Sequence, residues 1–339
     1  VISMVDLSIE LASITLKNPL IAASSEFTMT EDGIKSCIDA GAGAVIAKSV
    51  NENPKAGQQL SIADYVLLDI DHNVLPWGSY PAGASLFCRS GLASDPLDKW
   101  LTMLEKLKAY AESKGSFLFS SITVSTKEGA VFLANELFGV SHGLELNLST
   151  PHGLESRSGA VKLIVDKDTV YDLVRSTRSV CRDKPLIVKL SSLSVDLVDI
   201  ARHAVRAGAD AITLTGRYPG FMPDINTFNP VLNSWGAIGG SWALPLSLYW
   251  VSKCYRELYP FDDIVGTNGA RTGIDIVRFL LSGAKAVAVA TSILVSGPQI
   301  LAKMIAEIEQ YCVDKNFRNI DALIGLSARH AKYYDELAK

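Results

Sequence analysis

The chain is short of the features that would mark it as secreted, membrane-spanning or metal-bound. Its five cysteines, Cys37, Cys88, Cys181, Cys254 and Cys312, are odd in number and never arranged as C-x-x-C. Neither a disulfide framework nor an iron–sulfur or zinc site is signalled, and a reducing, cytoplasmic setting is expected. No run approaches ~18 uninterrupted apolar residues, and the opening VISMVDLSIEL lacks a basic leader before an apolar stretch. No membrane span and no export are therefore expected. A formal net charge of -4 provides no broad field for nucleic acid or anionic lipid, so neither is an expected partner. Also absent is a G-x-G-x-x-G fingerprint after a strand. Electrons, if the chain handles them, must come from a diffusible donor or acceptor or from a redox partner subunit.

What is present is a core. Apolar residues make up 48% of the 339 positions and charged ones 20%, a balance suited to a globular enzyme rather than a disordered chain. One fragment recurs three times, a helical stretch closing on Gly-Ala, one variable residue, Ala, and then a β-rich run: GAGAVIA from Gly41, GADAITL from Gly208 and GAKAVAV from Gly283. Glycine ends a helix cheaply, and the Ala-Val/Ile run suits a strand buried on both faces, so the repeats imply a parallel sheet. Apolar strand candidates fall at residues 19–24, 44–49, 117–124, 144–149, 186–190, 211–215, 263–266 and 286–290. Amphipathic helices are predicted between most of them, including 95–113, 168–180, 196–207 and 273–281. Eight strands alternating with helices predict an α/β fold, a (β/α)₈ TIM barrel forming one domain over 1–339. Residues 51–94 after the second strand and 217–243 after the sixth are too long and too rich in Gly, Pro and aromatics for plain connections. They are expected to be active-site loop insertions that wall a pocket, the alternative being surface decoration.

Polar residues at the ends of buried strands need a reason. Lys48 ends AVIAK, Asn147 lies in LELNLS and Lys189 ends LIVKL. Taken singly each lysine fits a structural salt bridge; two at one barrel mouth point to an electron-rich ligand. IVGTNGARTG after the seventh strand and AVATS after the eighth carry the glycines and small hydroxyl residues that let backbone N–H groups approach a phosphate.

These segments carry a family resemblance from about Leu7 to Ala328. Asn147-Leu148-Ser149-Thr150-Pro151-His152-Gly153 resembles the N-L-S-C-P-[NH]-G of the dihydroorotate dehydrogenases, in the His version typical of the flavin barrel of dihydropyrimidine dehydrogenase. NPLIAAS near the first strand, AKS at 47–49, VKL at 188–190, GGS at 239–241 and SGAKAV before AVATS support it. The resemblance implies FMN as cofactor, with Ala23, Ser24, Lys48, Ser49, Asn147, Lys189, Thr215, Gly240, Gly269 and Thr291 lining its site. Lys189 would stand beside the flavin pyrimidine edge, where reduction places negative charge, Lys48 would be a second cation, and Gly269 and Thr291 would hold the phosphate.

The departures are as informative. Thr150 stands where the family has its catalytic cysteine, and a threonine can move a proton only with help from water or a relay. Cys88 and Leu214 stand where substrate-binding asparagines are usual. A pyrimidine left with unpaired polar edges would lose about 1 to 3 kcal/mol at each. Arg89, Arg157 and Arg217 lie close enough in sequence to offer charge instead, which suits a small anionic substrate; solvated arginines are the alternative. The substrate-binding set is thus Asn147, Cys88, Arg89 and Arg217, and the catalytic set Thr150, His152 and Lys189. His152 is expected to titrate near neutral pH, unless it only holds its loop. The expected activity is FMN-dependent oxidation or reduction of a C–C (CH–CH) bond, with a homodimer as the assembly. The competing readings are a flavin-binding barrel without catalysis, serving as a subunit or scaffold, and a sugar-phosphate isomerase barrel, which leaves NLSTPHG unexplained.

Overall fold

A computed structural model describes residues 5–337; residues 1–4 and 338–339, and with them the first four positions of the N-terminal reading and the outer bounds of the expected domain, lie outside the described residues. Eight parallel strands close into a barrel: β1 (Leu20–Ala22), β2 (Ala44–Ile46), β3 (Phe117–Ile122), β4 (Gly143–Asn147), β5 (Leu186–Lys189), β6 (Ala211–Leu214), β7 (Ile264–Thr267) and β8 (Ala286–Val289), each paired with its neighbours in chain order and β8 with β1. Helices α1 (Glu31–Asp39), α2 (Leu97–Ser113), α3 (Lys127–Leu137), α4 (Lys167–Cys181), α5 (Leu197–Ala207), α6 (Leu244–Glu257), α7 (Gly273–Ser282) and α8 (Ile300–Asp314) follow the strands in turn. This is the expected (β/α)₈ architecture. An antiparallel hairpin, Ile9–Leu11 with Ile14–Leu16, meets the N-terminal end of β7, where the Ala12 N–H donates to the Asp263 carboxylate at 3.1 Å.

Local chemistry explains the element bounds. In α5 the buried positions Leu197, Ile200, Ala201, Ala204 and Ala207 recur at the three- and four-residue spacing of one helix face. Asp196 caps its start by accepting the Asp199 N–H, and Gly208, at φ 113°, ends it in the left-handed conformation that a side chain would strain. Helix α2 begins at Leu97 rather than at the expected residue 95 because Pro96, with ψ 137°, is held outside the helix as its cap. Its buried Trp100, Leu104, Leu107 and Ala111 pack on the barrel, each large side chain contributing about 1.5 to 3 kcal/mol. The first two strands stop earlier than the sequence suggests: Ala23 still donates its N–H to the Val289 carbonyl of β8 at 3.0 Å, whereas the Lys48 N–H turns to the Thr28 carbonyl and the Ser49 N–H to Ser24 Oγ.

The two insertions are not irregular loops. Together they build a five-stranded antiparallel sheet in the order Tyr218–Gly220, Gly236–Gly240, Ser85–Arg89, Asp64–Leu68, Val74–Leu75, so that the stretch after β2 pairs with the stretch after β6. Among the described residues, no helix is long and apolar enough to cross a membrane.

Candidate functional site

Side chains beyond the C-terminal ends of the barrel strands converge on one cavity beneath the added sheet, about 1060 Å³ including the solvent at its mouth. Its lining takes in Ala23 and Ser24 after β1, Lys48 and Ser49 after β2, Asn147 and Thr150 from β4 and its loop, Lys189 from β5, Thr215 and Arg217 after β6, Gly269 after β7 and Thr291 after β8. His152 joins them from the turn Pro151–Glu155. Of the expected site residues, Cys88, Arg89 and Gly240 are not in this lining.

The physical reasons for those three exclusions differ. Cys88 is fully buried within the added sheet, packed with Leu67, Leu86 and Val295. Arg89 ties the two insertions together, donating from Nε to the Ile62 carbonyl at 2.7 Å and from Nη1 to the Leu232 carbonyl and to Ser234 Oγ. Gly240 allows close backbone approach: a Cβ there would lie 2.3 Å from the Ala84 carbonyl oxygen. Arg157 is exposed and also outside the lining.

Two lysines, Lys48 buried and Lys189 half-buried, meet different fates. Lys48 pairs with Glu26 at 3.2 Å, and Glu26 also accepts the Gly91 N–H at 2.9 Å. Burial pulls the Lys48 ammonium below its usual value while Glu26 works to keep it charged. For Glu26 burial acts upward, yet Lys48 and the donors around it hold the carboxyl below the usual range. Lys189 has no hydrogen bond or ion pair within 4 Å among the described residues; burial lowers its pKa, and Glu145 of β4 opposes that from further off. Asn147 turns its carbonyl to the Ser149 N–H (3.0 Å) and hydroxyl (2.9 Å), which leaves its NH₂ group without an acceptor among the described residues. The buried Thr150 and Thr215 hydroxyls likewise make no hydrogen bond of good geometry. Unmet donors and acceptors of this kind are costly unless a ligand meets them.

A second cation lies under the sheet. Arg217 reaches the Cys88 thiol with Nη1 and Ser90 Oγ with Nη2 at 3.0 Å, and no carboxylate lies within ion-pair distance of it among the described residues. Burial pushes the Cys88 thiol up, against the pull of Arg217, and Glu26 acts on Arg217 from beyond ion-pair distance. His152 is one of its neighbours. The Ser90 N–H donates to His152 Nε2 at 3.2 Å, and Ser90 Oγ lies 3.0 Å from the same nitrogen, which places the ring proton on Nδ1.

Of the two readings of His152, a group titrating near neutral pH and a ring that only holds its loop, its surroundings favour the second. Burial first, then Arg217 and Lys48, push its pKa down from 6.5 to about 3, and Glu26 offsets only part of this. Because the folded value lies below the unfolded one, unfolding takes up a proton at His152 between those limits. Its contribution to stability is full above pH 6.5 and is lost as the pH falls from there towards 3. In an NMR titration of imidazole-labelled protein, the His152 ring signals are expected to stay in their neutral positions from pH 8 to about 5; a midpoint near 6.5 would contradict this environment.

Sequence reasoning missed Glu26, Tyr65 and Ser90, all in the cavity lining. Glu26 had a usable signal, since a buried Lys48 requires an anion, but an acid just ahead of a helix also reads as an ordinary start signal. Ser90 and Tyr65 come from the added sheet, whose pairing the sequence does not display.

A family model described as dihydroorotate dehydrogenase matches residues 77–312. The catalytic subunit of dihydroorotate dehydrogenase B (NAD(+)) from Pyrococcus furiosus is 30% identical over 328 residues, 95% of this chain and 99% of that one. The corresponding subunit from Endomicrobium trichonymphae is 33% identical over 324 residues, covering 94% and 96%, and that from Geobacter sulfurreducens 29% over 323 residues, covering 94% and 97%.

Proposed function

Since the chain belongs to the dihydroorotate dehydrogenase family, we propose that it is a single FMN-binding barrel domain that oxidises or reduces a CH–CH bond of a small substrate. The observation that carries this reading is that Lys189, Asn147, Thr215, Gly269 and Thr291, from five different strand ends, line one cavity.

The residues fit the cofactor. Gly269 sits at φ +127°, where a Cβ would come within 2.5 Å of the Leu244 Cα, so backbone rather than side chain faces the recess. Together with the first N–H groups of the short helix Thr291–Ser296, which have no partner within the helix, it forms the phosphate cradle. Lys189 and Asn147 hold the pyrimidine edge of the ring, with Ala23, Ser24, Lys48, Ser49 and Thr215 around it. The flavin supplies N5 as the site that accepts or releases hydride.

The protein supplies position, charge and dryness. Lys189 is a half-buried ammonium at the cavity wall, placed for the negative charge that reduction brings. Thr150 stands in the place of the family's cysteine; the residue lines the cavity, its hydroxyl oxygen is buried without a hydrogen-bond partner among the described residues, and it passes a proton only through water or a neighbouring acceptor. His152, held neutral, orients Ser90 and the Arg217 fork. Arg217, half-buried and without a carboxylate at ion-pair distance among the described residues, receives an anionic group of the substrate, because Glu26 is paired with Lys48. The added sheet excludes water above the ring. The relatives' description as catalytic subunits of an NAD(+)-linked enzyme supports electron exchange with a partner subunit.

Purified protein reconstituted with FMN is expected to be yellow and to hold the flavin through gel filtration, and a stopped-flow screen of reduced enzyme against unsaturated acids and pyrimidines is expected to show reoxidation. Colourless protein would refute the flavin reading. Flavin that no substrate in the screen reoxidises would favour a non-catalytic barrel, a reading motivated by Thr150.

A further inference from the structure

Beneath the cavity floor a line of hydroxyls runs into the barrel. Ser24 Oγ lies 3.1 Å from Ser49 Oγ, Ser49 Oγ lies 2.8 Å from Ser121 Oγ, and the Ser121 hydroxyl donates to Glu145 Oε1 at 2.9 Å. Ser24 and Ser49 line the cavity, whereas Ser121 and Glu145 are each 1% exposed. Every link is within hydrogen-bonding distance, and a hydroxyl can accept a proton on one side as it donates on the other. Glu145 shares its strand face with Asn147, two residues on, so it points into the barrel beneath the site. Ser121 provides its one hydrogen bond among the described residues. The charged group acting on it is Lys189 of the adjacent β5, with Arg217 next beyond Lys189.

We propose that Glu145 is the proton store of the flavin site, loaded and emptied through Ser121, Ser49 and Ser24; this rests on the FMN reading above. The argument is one of charge. In this proposal Glu145 is ionised while the flavin is oxidised, with Lys189 as its opposite charge at a distance inside the barrel. Reduction puts one negative charge next to Lys189 and leaves the buried carboxylate without its compensation, which a low-dielectric interior penalises strongly. A proton moving in from the cavity relieves this. Ser24 accepts it and hands its own to Ser49, Ser49 to Ser121, and Ser121 to Glu145 Oε1, so that each hydroxyl ends neutral and the carboxylate becomes a carboxylic acid. Reoxidation reverses the shift. The balance for reduction by an external donor is two electrons and one proton to the flavin and one further proton to Glu145.

The test is proton counting during anaerobic photoreduction of FMN-loaded protein in weakly buffered solution with a pH-indicator dye, alongside reduced-minus-oxidised infrared spectra. Wild type is expected to take up two protons per flavin and to gain a carboxylic acid C=O band. Glu145→Gln is expected to take up one, a twofold drop, without that band. Ser121→Ala, which interrupts the chain but keeps the acceptor, is expected to reach two with a delay. Bound flavin with one proton in wild type, or the band persisting in Glu145→Gln, overturns the proposal while leaving the FMN reading intact. Should Glu145→Gln fail to hold FMN, the Ser121→Ala time course decides: a delay supports the store, and an unchanged course overturns it. Failure of wild type to bind FMN overturns the cofactor reading and this proposal with it.

Discussion

Lys189→Met is expected to bind FMN and to lower its midpoint potential by on the order of 60 mV. Removing one preorganised donor from developing negative charge typically costs about 3 kcal/mol, and for a two-electron couple each ~1.4 kcal/mol corresponds to ~30 mV. The effect is large here because Lys189 is half-buried at the cavity wall and has no ion-pair partner within 4 Å among the described residues, Glu145 acting on it only from further off. Oxidised flavin, uncharged at that edge, gains far less from the ammonium, so affinity for the oxidised form is expected to fall by a smaller factor. Spectroelectrochemical titration measures both. A potential within ~10 mV of wild type would mean that the ammonium does not face the ring. Lys189→Arg, which keeps the charge but spreads it over a planar fork, is expected to recover part of the difference.

The second large effect concerns stability. Glu26→Ala leaves Lys48 buried without its carboxylate and with Arg217 in the same cavity, a loss expected at about 3 to 5 kcal/mol. The double substitution Glu26→Ala with Lys48→Met removes both charges and is expected to recover most of that loss, because the pair itself contributes little beyond cancelling its own desolvation. Urea unfolding at fixed FMN concentration is the measurement, since bound flavin stabilises the folded state by mass action. A single variant within ~1 kcal/mol of wild type would show that water reaches Lys48 and replaces the carboxylate.

The barrel was open to sequence reasoning because its signals are local. Gly208 and Gly283 end their helices at φ 113° and 110°, and each is followed by a strand whose four residues are all buried. The lysines were visible for a related reason: a charged residue closing an apolar run is anomalous within a window of five residues. Nothing local reveals the added sheet. Cys88 sits opposite Ala237 and Ser85 opposite Gly240, partners separated by about 150 positions, and the intervening chain carries the glycines and prolines of a loop. Arg89 shows the cost of that blindness. Its proximity to Cys88 suggested a place at the substrate, whereas successive residues of a strand face opposite ways, and its guanidinium closes the seam between the insertions. His152 was visible as a candidate, but the choice between its two readings depends on Arg217 and Lys48, which reach it only through the fold.

The shared sheet also constrains how this protein can diverge or be engineered. Because Ser85–Arg89 is hydrogen-bonded on one side to a strand from its own insertion and on the other to one from the second, exchanging either insertion alone with that of a relative would strand a row of backbone N–H and C=O groups at a new sheet edge. Transplants that alter specificity must therefore carry both segments as a cassette, and natural variation in the two is expected to be inherited jointly.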